Sequence, residues 1–312
     1  WGWWRSLWQP ANPQPRPIWF EVPRGASLKQ VARRLEAVGL LRHRWTLLWL
    51  GRLRRKAHRI QAGLYLLSPH QSPQEILETL VEGKVPQVRI TFPEGWTLRQ
   101  MAARLEARRL GSKERFLEWA TQRAATFQVP YLPPGHSLEG YLFPDTYLIP
   151  LTLDERGLIE RMLRRFQEVI APFLPAIRQS GRTVHQIVTM ASLVEREAKV
   201  PEERPLIAGV LYNRLERGML LQCDATLQYA LGEHQERILY RHLTVDSPYN
   251  TYKYPGLPPG PIANPGRASL EAAVHPAATD FLYYVARPNG RHVFSRTYEE
   301  HRQAMRRLGR GS

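Results

Sequence analysis

The chain has 312 residues, 43% of them apolar and nine of them tryptophan; this suffices for two or three domains with cores of their own and excludes a disordered chain. A formal net charge of +16, carried mostly by arginine, suits an anionic partner (phospholipid headgroups, nucleic acid or an acidic wall polymer) or reflects an arginine-rich proteome. Cys223 is the single cysteine, so an internal disulfide and a cysteine metal cage are excluded, and no run of about 18 apolar residues is present to cross a bilayer.

In chain order, WGWWRSLW opens the sequence with four tryptophans in eight residues and one arginine. That pattern resembles an interfacial aromatic belt and leads to the expectation that a removed membrane helix precedes it; a sticky aromatic end is the other reading. Gln9 to Pro17 is proline-rich and reads as an extended spacer. An internal repeat follows at an offset of 70 residues: VPRGASLKQVARRLEAVGL from Val22 and FPEGWTLRQMAARLEARRL from Phe92 share ten of nineteen positions. Each copy predicts a short strand (Ile18 to Val22; Val88 to Phe92), a Pro-x-Gly turn, a Ser27 or Thr97 cap and an amphipathic helix. The first copy continues through RWTLLWLGRL, a second helix, to a strand over Gly63 to Leu67 and a helix over Pro73 to Glu82 that stops at Gly83. Two copies do not make a solenoid. The first is similar to a LysM-type module, a fold associated with N-acetylated glycans; a plain spacer is the competing reading.

Lys113 to Phe127 predicts one helix, and Tyr131 to Pro150 a loop that gathers Glu139, Tyr141 and Asp145. Thr152 to Phe173 and Pro175 to Gln179 lead helically into TVHQIVTMASLVEREAK, Thr183 to Lys199. At about 100° per residue, Val184, Ile187, Val188, Ala191, Val194 and Ala198 share a face, while His185, Gln186, Thr189, Arg196 and Glu197 lie opposite. Glu195 projects near the middle of the apolar stripe, where burial disfavours a charged carboxylate and suits a general acid; a structural glutamate meeting an arginine is the alternative. Further helices are predicted over Glu202 to Gly218, Cys223 to Leu231 with Asp224 as cap, Ser269 to Val274 and Tyr298 to Leu308. Leu239 to Asn264 is a Pro/Tyr/Gly-rich loop, and Asn289-Gly290 marks a hairpin between Phe281 to Ala286 and His292 to Ser295.

The polar and aromatic residues cluster on loops: Glu139 and Tyr141; Gln222 and Asp224; Tyr249, Asn250, Thr251 and Tyr252; then GLPPGPIANPG. Aromatic faces beside amides and carboxylates suit a sugar, with loop packing and helix capping as the bland readings. His275, His292 and His301 lack zinc-ligand spacing, no glycine-rich phosphate loop follows a strand, and Ser192 is not in a Gly-x-Ser-x-Gly elbow.

The ordered blocks SLEGYLFPDTY, ASLVEREA, IAGVLYNRL, LQCDATLQYAL, SPYNTY, GLPPGPIANPG, AAVHPA and LYYVARPNGRHVFSRTYEEH closely resemble the YceG-like family of endolytic murein transglycosylases. The likeness spans roughly Phe20 to His301. It implies an α+β chain: small LysM-like α/β modules followed by a mostly helical catalytic domain with a C-terminal β-hairpin. The boundaries expected are a spacer over 1–18, a LysM-like module over 19–86, the second repeat copy with its connecting helix over 87–130, and the catalytic domain over 131–312. The resemblance implies a lyase that cuts peptidoglycan strands between N-acetylmuramic acid and N-acetylglucosamine, leaves 1,6-anhydro ends, terminates nascent strands and needs no cofactor or metal. Glu195, the first glutamate of the ASLVERE block, is the implied catalytic acid. Gln222, Asp224, Tyr249, Asn250 and Tyr252 are implied to line the glycan groove, with Glu139 in support. Ala225 and Cys223 depart from the family's usual Pro and Thr or Ser around Asp224.

The implied partners are peptidoglycan strands, the inner membrane through a single N-terminal helix outside this chain, and cell-wall synthases; the catalytic part would then stand on the extracytoplasmic side. A non-catalytic peptidoglycan-binding scaffold is the rival reading. Nucleic-acid binding is disfavoured by the lack of a basic-aromatic recognition motif, and a PLP-dependent aminodeoxychorismate lyase, an older label for the family, by the scarcity of lysine.

Overall fold

The computed structural model describes residues 9–232 and 239–309. The Trp-rich start, Trp1 to Trp8, lies outside them. Among the described residues no helix is long and apolar enough to cross a membrane. The chain divides into two compact units: residues up to Ile90 with Tyr147–Leu153, and Thr91–Thr146 with the chain from Asp154 onward. The α+β class holds, with helices interleaved among three two-stranded sheets in the described residues.

The first unit runs β1 (Ile18–Val22), α1 (Leu28–Ala37), α2 (Arg44–Leu53), β2 (Gly63–Leu67) and α3 (Pro73–Glu82), and then enters β3 (Gln87–Thr91). β1 and β2 pair antiparallel, with Ile18 opposite Leu67 and Val22 opposite Gly63. Alternation puts Phe20, Val22, Tyr65 and Leu67 on one face, where Val31, Leu35, Leu47, Leu50, Ile76 and Leu80 cover them. Trp19, on the opposite face, stays half exposed, as do Trp45 and Trp49 on the outer side of α2. Gly83 ends α3 in the left-handed conformation (φ 64°).

The second copy of the repeat keeps the local chemistry of the first. Gly25 and Gly95 take φ of 77° and 74°, which the Pro-x-Gly turn requires. Ser27 with Gln30, and Thr97 with Gln100, close identical capping boxes. Beyond the cap the copies part. Gln87 to Ile90 belong to the first unit, and α4 (Leu98–Ala107) and α5 (Lys113–Ala120) to the second. α5 is shorter than its sequence predicts. The Ala120 carbonyl accepts the Leu138 N–H (2.8 Å), so the helical ladder is diverted there and only a 3₁₀ turn, Ala124–Phe127, follows. Thr146–Pro150, read as loop from its flanking prolines, is a strand, β4, paired with β3.

The second unit continues through α6 (Glu155–Ile170), α7 (Leu174–Gln179), α8 (Val184–Glu197), α9 (Arg204–Glu216), α10 (Asp224–Leu231), α11 (Tyr240–Leu243) and α12 (Arg267–Val274). A hairpin of β5 (Tyr283–Ala286) and β6 (His292–Ser295) and a last helix, α13 (Tyr298–Arg307), complete it. α8 is its axis. Thr183 and Gln186 cap it reciprocally. α7, α9, α10 and α12 all pack on it. Ile187 to Val194 are therefore buried without a break, including Thr189 and Ser192. The Ser192 hydroxyl donates to the Thr189 carbonyl and accepts the Ile262 N–H (3.0 Å), which pins the GLPPGPIANPG loop to the helix.

Candidate active site

α8 presents two carboxylates from its last turn, and their surroundings differ. Glu195 faces the Gly266 turn: Oε2 accepts the Gly266 N–H at 2.9 Å, and Oε1 lies 3.5 Å from Arg204 Nη2. Arg204 in turn donates through Nε to the Ser269 hydroxyl (3.1 Å). Glu94, on the second copy's Pro-x-Gly turn, is pushed up in pKa by burial and by the neighbouring Glu195 charge. Its carboxyl fills the space that a Cβ on Gly266 would take. The apolar stripe read from the sequence thus delivers Glu195 to an amide and a guanidinium, not to an unpartnered pocket, and both its oxygens are engaged.

Glu197 stands on the side that the helical wheel assigned to water. Its Oε2 accepts the Tyr284 hydroxyl at 3.2 Å and it accepts a main-chain hydrogen bond from Ala225. Burial first, then the nearby Asp224 charge, push its pKa up to about 7, against the stabilising Tyr284 and Ala225 donors and the Arg196 charge. The residue as a whole is part-buried. Cys223, fully buried beside it, has its thiol raised by the same burial.

Ala225 also belongs to the wall of a cleft of about 390 Å³, lined by Thr97, Arg99, Gln100, Glu139, Arg196, Gln228, Tyr229, Gly232 and Ile262 as well. Glu139 forms its floor. It accepts the Leu98 N–H (3.1 Å), the Asn264 amide (2.9 Å) and the Tyr229 hydroxyl (3.4 Å), and burial raises its pKa to about 8. Asn264, with no exposed surface, ties the second repeat copy to the loop. Its Oδ1 accepts the Gly140 and Leu142 amides and its Nδ2 donates to the Trp96 carbonyl. Gly140 permits that approach: its φ is +86°, and a Cβ there would stand 2.5 Å from Pro261.

The other anticipated groove residues divide. Gln222 and Asp224 are exposed. Gln222 is held at φ 54° by its N–H to the Thr251 carbonyl, and its Oε1 accepts Arg214 Nη2 at 2.6 Å. Asp224 does not cap α10. Cys223 takes the N-cap position without a side-chain bond, and Asp224 instead accepts the Tyr252 hydroxyl at 2.6 Å. Tyr249 stacks obliquely on Tyr229, ring centres 4.9 Å apart. Asn250 turns inward to its own loop. It is wholly buried, its amide donates to the Leu243 and Val245 carbonyls, and its oxygen accepts the Tyr252 N–H. Glu139, Tyr141 and Asp145 are not gathered either: the Tyr141 hydroxyl meets His185 and Asp145 pairs with Arg165. Sequence reasoning passed over Glu197, Tyr284, Arg214 and Asn264. Asn264 alone carried a signal, in its proline- and glycine-rich block.

A profile of the YceG-like family matches residues 20–307. The chain belongs to the YceG-like family. Among its relatives is the endolytic murein transglycosylase of Bacillus subtilis (strain 168), 35% identical, with 96% of this chain and 87% of that protein covered. The protein of the same name from Streptococcus pneumoniae serotype 2 (strain D39 / NCTC 7466) is 32% identical over 90% of this chain, which spans 56% of that protein's length. The crystal structure of a putative YceG-like protein from Listeria monocytogenes superposes with a TM-score of 0.66 at 35% identity, covering 93% of this chain and 100% of that one. The match takes in the whole of the α8–α10 site and the loop that Asn264 anchors.

Proposed function

We propose that this YceG-like chain is a murein transglycosylase, a lyase that cuts peptidoglycan strands between N-acetylmuramic acid and N-acetylglucosamine, and that Glu197 is its acid. The observation that carries the reading is the Glu197 carboxyl: raised by burial to about 7 and one hydrogen bond, through Ala225, from the wall of a cleft built of amides, hydroxyls and an aromatic pair. The names of its relatives support the substrate class.

In this mechanism protonated Glu197 donates to the glycosidic oxygen as the bond to the muramyl C1 breaks. The resulting carboxylate takes the proton of the C6 hydroxyl of the same muramyl residue. That oxygen closes on C1 and gives a 1,6-anhydro end, so one carboxyl serves both steps. The nucleophile is part of the substrate, which lowers its entropy cost. The low polarity that raises Glu197 also keeps competing water out. Tyr284 and Ala225 stabilise the carboxylate that forms; Glu139, protonated at neutral pH, supports the floor. A LysM-like role for the first unit, termination of nascent strands, a membrane-anchored setting and recruitment by a synthase belong to the same reading.

The test uses purified sacculi and mass spectrometry of the released muropeptides. Glu197→Gln is expected to abolish anhydro ends while sacculus binding persists. Glu195→Gln is expected to lose at most about tenfold, through a loosened Gly266 turn. The reverse pattern would return the acid to Glu195. Undiminished release by both variants would place the acid on another residue, and no release by the wild type would leave the non-catalytic scaffold as the function.

A further inference from the structure

Two guanidiniums line the cleft from different elements, Arg99 in the first turn of α4 and Arg196 near the end of α8. Each uses one nitrogen on the main chain: Arg99 Nη1 donates to the Gly232 carbonyl at 3.2 Å, Arg196 Nη1 to the Gly95 carbonyl at 3.3 Å. Neither is ion-paired among the described residues. Their remaining N–H groups are therefore left for whatever occupies the cleft, and both residues are exposed there. Glu139, the carboxyl on the same wall, is uncharged at neutral pH because of its burial. Among the described residues the cleft is thus lined by two guanidiniums, and its one carboxyl, Glu139, is raised by burial to about 8.

The sugar backbone of a peptidoglycan strand is neutral. Thr97, Gln100 and Gln228 are neutral polar residues on the cleft's lining. Two forked cations on such a wall match a carboxylate. In this polymer carboxylates are borne by the substituent on the muramyl C3: the lactyl acid where it is bare, or the acids of a stem peptide where the lactyl group is amidated. We propose that Arg99 and Arg196 form a carboxylate subsite for that substituent, so the cleft selects strands by the charge that the muramyl residue carries. The inference rests on the glycan-strand reading above.

Three strand preparations test it: peptide-bearing strands, strands stripped of peptide with free lactyl acids, and peptide-bearing strands whose carboxylates have been converted to amides. For the wild type, amidation is expected to raise KM about tenfold, the worth of a charge-assisted hydrogen bond, with kcat changed less than twofold. Arg99→Gln should raise KM on charged strands by a similar factor and change it little on amidated ones, so that the preference disappears. Arg99→Lys should restore part of it. Arg196→Gln is read by the same KM ratio, because its influence on Glu197 falls on kcat. Within a confirmed preference, stripped strands that bind as well as peptide-bearing ones assign the lactyl acid, and stripped strands that bind as weakly as amidated ones assign the stem peptide. Equal KM on charged and amidated strands, or a preference intact in Arg99→Gln, overturns the subsite. If no preparation is cut, it is the glycan-strand reading that fails.

Discussion

Glu197 and Glu139 share one physical condition with different consequences. Both are raised by burial, to about 7 and about 8. A general acid must enter the reaction protonated, so turnover should fall as pH rises through about 7 and Glu197 ionises. Tyr284→Phe removes a donor that favours the carboxylate, and the alkaline limb of the pH–rate profile should move upward. A limb that stays in place would mean that another group sets it. Glu139 can be followed through stability. Its ordinary value of 4.5 applies in the unfolded chain, so between 4.5 and about 8 the folded state holds more protons than the unfolded one. The stabilisation is complete below the lower value and is lost as pH rises through the upper. Glu139→Gln keeps a carbonyl for the Leu98 amide but does not ionise. Its melting temperature should match the wild type near pH 5 and exceed it near pH 9; an equal deficit at both values would mean that Glu139 is not protonated in the fold.

At the level of elements, the repeat offers a paired experiment. Ser27 and Thr97 make the same capping box, so Ser27→Ala and Thr97→Ala should each cost about 1 kcal/mol, read by denaturant unfolding. Thr97 also lines the cleft, so its variant alone should raise KM for glycan strands. Capping boxes, turn glycines and the β5–β6 hairpin were legible because their causes lie within five residues of each other. The acid was not. A wheel assumes one wet side, and α8 has none between Ile187 and Val194 because four helices enclose it. Glu195 therefore met an amide and Arg204, while Glu197, on the supposedly wet face, came to Tyr284 on β5, 87 residues away. The partners of Asn250 were hidden for a similar reason: its residue type suits a sugar, and the loop's own carbonyls accept its amide. β4 was hidden by its prolines, and no local signal announces a two-stranded partner.

Over the whole molecule, the charge of +16 acts at longer range than any of these contacts. Peptidoglycan is an extended array of carboxylates, and a cationic protein is held near such an array by a field that fades over a Debye length of about 10 Å at 0.1 M salt and about 3 Å at 1 M. The field concentrates enzyme and substrate, but beyond the exposed Arg99 and Arg196 it adds little at the bond that is cut. Retention on sacculi and turnover should therefore separate. The bound fraction of Glu197→Gln should fall steeply from about 0.05 to about 0.5 M NaCl, tracking the wild type. Over the same range wild-type kcat on saturating soluble strands should change little, while KM rises through the weakened Arg99 and Arg196 contacts. Binding insensitive to salt would instead place the affinity in aromatic and hydrogen-bonding contacts such as Tyr229 and Tyr249. A kcat that collapsed with retention would mean that the long-range field, and not Glu197 with its own donors alone, drives the bond-breaking step, which would overturn this separation.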